Sequence, residues 1–82
     1  MSSVDWEQQK FDQVFANVCE FLEYRERLKP DDFLDFVTNR LETLYVYQGQ
    51  DWTGKGAAAE ITDAATIAAY ETVRARLQTS TT

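Results

Sequence analysis

The residues Gln50-Asp51-Trp52-Thr53-Gly54-Lys55-Gly56-Ala57-Ala58-Ala59-Glu60 hold two of the chain's three glycines, a lysine and two carboxylates, which are the ingredients of loops that bind phosphate or calcium. A phosphate loop needs GxxxxGK followed by Ser or Thr after a strand, so that backbone amides cradle the phosphates and the hydroxyl holds magnesium. Here Gly54-Lys55-Gly56 runs into Ala57 and follows a helical pattern, so spacing, hydroxyl and strand are all missing. A calcium loop comes closer. Counted back from Glu60 as the twelfth position, Gly54 falls on the sixth, where the sharp turn needs glycine, and Asp51 and Thr53 fall on the third and fifth. The first position is then Gly49 instead of a carboxylate, and Lys55 sits beside the two acids, a poor cage for a hard cation. The stretch reads best as a hinge whose glycines supply positive backbone angles while Trp52 plugs the end of the fold, and no metal or other cofactor is expected.

Other chemistry is thin. The chain has no histidine, which removes the commonest general base and the usual partner of a nucleophilic Ser or Cys. Cys19 lies beside Phe15 and Leu22 on a helical wheel and reads as a small buried hydrophobe. Acid pairs such as Glu20 with Glu23, or Asp31 with Asp35, read as solvated charge: Glu23 and Arg27 have the spacing of a helix-surface pair, and Asp31 and Asp32 suit a helix N-terminus. The chain is not expected to be an enzyme.

Three helices must position whatever site exists. Phe11, Val14, Phe15, Val18, Phe21, Leu22 and Leu28 recur at spacings of three, four and seven, which predicts a first helix over about 4–28 with Arg25, Arg27 and Lys29 at its cationic end. Pro30 ends that pattern and suits the first position of a second helix, 30–48, with Leu34, Val37, Leu41 and Leu44 as its stripe and Gly49 as its stop. Tyr45-Val46-Tyr47 has strand propensity but no second strand to pair with. A third helix runs from 57 or 63 to 78, followed by a polar tail over 79–82. Three helices with short connections predict an all-α fold, a small antiparallel three-helix bundle forming a single domain over 1–82.

The third helix has two unlike faces. Ile67, Tyr70, Val73 and Leu77 gather on one side, while Ile61, Ala64, Ala65, Ala68 and Ala75 gather roughly opposite. Such a helix is either central, touching both of the others, or turns its alanines to another chain. The first is the more economical.

Composition narrows the partners. The sequence has 82 residues, 44% hydrophobic, with formal net charge −6, so a folded domain is expected and an acidic surface disfavours nucleic acid and anionic membranes. One cysteine, no leader-like start in MSSVDWEQQ and no run of about 18 apolar residues point to a soluble cytoplasmic chain. By subtraction the expected role is protein–protein interaction or regulation, with another protein or with itself as a homodimer. The expected contact residues are Tyr45, Tyr47 and Trp52 at one end and Ala64, Ala65, Ala68 and Ala75 on the third helix. Two alternatives stand beside it: an acidic decoy of nucleic-acid machinery, with first-helix carboxylates and Asp31, Asp32 and Asp35 imitating phosphates, and the degenerate calcium loop.

Overall fold

A computed structural model describes residues 3–50 and 57–80, which form three α-helices: α1 Ser3–Leu28, α2 Phe33–Gln50 and α3 Ala57–Ser80. There is no strand among the described residues, and Tyr45-Val46-Tyr47 continues α2. The helix also runs through Gly49, the expected stop, to Gln50. A glycine costs a helix roughly 1 kcal/mol relative to alanine and does not forbid one. The earlier of the two expected starts for α3, at 57, is the observed one.

The start of α2 differs from expectation. Pro30 is not its first residue: its carbonyl accepts the Phe33 N–H at 3.3 Å in a tight turn, and the first helical bond runs from the Phe36 N–H to the Asp32 carbonyl at 2.9 Å. Side chains across the turn explain the shift. Arg25 near the end of α1 donates to the Lys29 carbonyl and to Asp32, each at 3.3 Å, and its guanidinium lies 4.5 Å from the centre of the Phe36 ring. This clamp holds Asp32 outside the helix and delivers Phe33, only 1% exposed, into the core. The preference of proline for a first helical position is outweighed by that burial and cation–π contact.

The core is one cluster of Leu22 from α1, Phe33, Val37 and Leu41 from α2, and Ile67, Tyr70 and Val73 from α3. Val18, Phe36, Leu44 and Leu77 pack at its margin. Helix α3 is the central element, packing along α1 and against α2, whereas α1 and α2 touch little. Phe11 lies by Ile61, Cys19 by Thr72, and Glu26 pairs with Arg76 at 3.0 Å, so α1 and α3 run in the same direction. Sequence neighbours are antiparallel, as in the expected bundle. Threonines within the helices satisfy their hydroxyls locally, for example Thr66 to the Thr62 carbonyl and Thr72 to the Ala68 carbonyl, both at 2.7 Å.

Because α3 touches both neighbours, its buried arc is wide. Ala65 and Ala69 are fully buried, and Ile67, Tyr70 and Val73 nearly so. Small side chains let α1 approach closely, and the longer ones fill the wedge toward α2. No described helix is long and apolar enough to cross a membrane.

Candidate partner-binding surface

The two tyrosines expected at a contact surface lie on different sides of α2. At about 100° per residue, Tyr45 falls on one flank of the Val37–Leu41 stripe and Tyr47 on the other, with Val46 opposite Val37. Tyr45 donates its hydroxyl to the Glu71 carboxylate of α3, which ties the C-terminal part of α2 to the central helix. That bond, then partial burial, then the charge of Glu71 hold the Tyr45 phenol above its ordinary range, against a smaller opposing effect of Arg74. A raised phenol contributes stability below the unfolded value of about 10 and loses it as pH climbs through the folded value. Tyr45→Phe should therefore lower the unfolding midpoint slightly at neutral pH, and the gap between wild type and variant should close in strongly alkaline solution. An unchanged gap across that range would mean that the bond adds nothing.

The alanines divide. Ala65 is buried in the monomer, Ala68 is half-buried, and only Ala64 and Ala75 are exposed. Ala65 is therefore not available to a partner in this fold. Trp52 lies outside the described residues, as does most of the glycine-bearing stretch from Asp51 to Gly56. Glu60, its last carboxylate, is exposed in the first turn of α3, and no cluster of three or more metal-ligating side chains occurs among the described residues. Cys19 is half-buried in a small cleft with Glu23, Thr72, Val73 and Arg76. Burial, followed by the Glu23 charge, pushes its thiol up, the opposite of a poised thiolate.

A surface that the spacing did not single out lies between α1 and α2. Phe21 and Leu28, counted in the α1 core stripe from spacing alone, are 50% and 60% exposed. The stripe is broader than α3 can cover. Phe21 meets Phe36 with ring centres 6.5 Å apart, which marks the side on which α1 and α2 face one another. Helical spacing puts Lys10, Val14 and Leu28 on the Phe21 side of α1, and Arg40, Thr43 and Tyr47 on the Phe36 side of α2. The cleft between α1 and α2 is lined by Arg25 of α1 and by Asp32, Asp35, Phe36, Asn39, Arg40 and Thr43, while Tyr47 lines a separate depression on α2 with Glu42, Thr43 and Val46.

No family model, curated protein or solved structure matches the chain.

Its surface is therefore read from physical features alone. Every large apolar side chain that stands exposed among the described residues belongs to α1 or α2, none to α3. The radius of gyration, 14.1 Å, exceeds the roughly 12 Å of a compact domain of this length.

Proposed function

We propose that this protein is a protein-interaction module, acidic and cytoplasmic, that receives another polypeptide on the exposed apolar side chains of α1 and α2. The observation that carries the reading is that the large apolar side chains exposed among the described residues, Phe21, Leu28, Val46 and Tyr47 among them, all lie on α1 and α2. Tyrosine and phenylalanine on rigid helices present large contact area at low entropic cost, and contiguous apolar patches mark interaction sites. Lacking histidine and a poised thiol, the reading assigns the chain no catalytic step. An acidic decoy is less well supported, because two of its carboxylates are engaged within the chain: Asp32 by Arg25 and Lys29, Glu26 by Arg76.

Affinity capture with wild type and with the double variant Phe21→Glu/Tyr47→Glu tests this surface. Retained polypeptides should be lost with the variant while its helical content is unchanged. Identical retention by both proteins would overturn the reading.

A further inference from the structure

The buried core does not run the length of the bundle. Among the described residues the largest fully buried side chains, Leu22, Phe33, Val37 and Leu41, lie with Tyr70 and Val73 in the part next to the α1–α2 turn. Two ion pairs, Arg25 to Asp32 at 3.3 Å and Glu26 to Arg76 at 3.0 Å, tie the chain at the same end.

The opposite end is held by less. Phe11, Val14 and Phe15 of α1 and Ile61 of α3 are all half-buried, and Ala64 is exposed. Phe11 lines a cleft with Ile61 but stacks on Phe15 of its own helix, with ring centres 6.2 Å apart. A stack within one helix adds nothing between helices. Burial stabilises in proportion to the apolar area removed from water, and parts of a fold that bury little open at a lower free energy than the whole. We infer that the end of the bundle carrying Phe11, Phe15 and Ile61 opens and recloses while the turn end stays folded. The opening uncovers those apolar side chains and the space between α1 and α3 without unfolding the chain. It does not rest on the exposed side chains of α1 and α2.

Amide hydrogen exchange of the full chain under native conditions, read residue by residue by NMR, tests the inference. Amides of Phe11, Phe15 and Ala64 should share one protection factor to within about threefold, at least about a hundredfold below those of Leu22, Leu41 and Val73. Leu22→Ala supplies the sharper comparison. Leu22 stays packed in the partly open state, so its truncation weakens the closed and partly open states alike. Protection at Leu41 and Val73 should then fall at least about thirtyfold, while that at Phe11 and Ala64 stays within about twofold. If circular dichroism shows that Leu22→Ala has lost helix, Val37→Ala, which removes fewer atoms, takes its place with a fall of at least about tenfold at Leu22 and Val73. Equal protection at both ends, or a loss at Phe11 and Ala64 as large as that at Val73, overturns the inference, because the bundle then opens only as a whole. Protection that declines residue by residue toward each helix end reduces the opening to fraying and overturns it as well.

Discussion

Replacing Phe33 by alanine should cost about 3–5 kcal/mol of stability, the largest effect expected from any single side chain here. Phe33 is the largest fully buried residue and the first of α2, delivered into the core by the turn that Arg25 and Asp32 hold. Its removal leaves a cavity between all three helices, and a backbone fixed by the turn can close that cavity only partly. A chain of this length has roughly 4–12 kcal/mol in total, so the variant loses a large share of its stability and unfolds partly at room temperature if the wild type lies at the low end. Urea titration followed by circular dichroism reads the loss as a lowered midpoint with the slope retained. A cost below about 1 kcal/mol would mean that Phe33 is not enclosed.

The second large effect comes from adding atoms. Ala69 is fully buried on the side of α3 that faces α1, and leucine there has no room unless the two helices move apart. Overpacking of this kind costs about 1–3 kcal/mol, and the long contact between α1 and α3 leaves little slack, so the upper end is expected for Ala69→Leu. The same change at the exposed Ala64 or Ala75 should fall within about 0.5 kcal/mol of wild type. The contrast is the test. If Ala64→Leu proved the damaging one, α3 would have to be rotated from the orientation described.

Much of this architecture is legible in the residues themselves. Spacings of three and four along α1 and α2 give the helices, and the two-sided pattern of α3 points to a central position because one stripe cannot account for both Ile67-Tyr70-Val73 and the alanines. What is not legible is how far each neighbour covers each face. The alanine group splits between Ala65, buried, and Ala64 and Ala75, exposed, because the buried arc of α3 is set jointly by α1 and α2 and not by its own composition. Phe21 and Leu28 fit the α1 stripe by period, yet they stand beyond the reach of α3, and only the sparse contact between α1 and α2 shows why they stay exposed. The start of α2 was hidden for a related reason: Arg25, Asp32 and Phe36 interact across a turn, and local preference at Pro30 carries no record of that contact. Sequence period reports which side of a helix is apolar. It does not report what is placed opposite.

The claim that matters most is that the exposed apolar side chains of α1 and α2, and not the outer alanine side of α3, meet another polypeptide. Side-chain NMR spectra of the labelled protein, recorded before and after addition of the polypeptides it captures, examine it residue by residue. Resonances of Phe21, Leu28 and Tyr47 should shift on addition while those of Ala64 and Ala75 stay fixed. Shifts confined to Ala64 and Ala75, with Phe21 and Tyr47 unmoved, would contradict it.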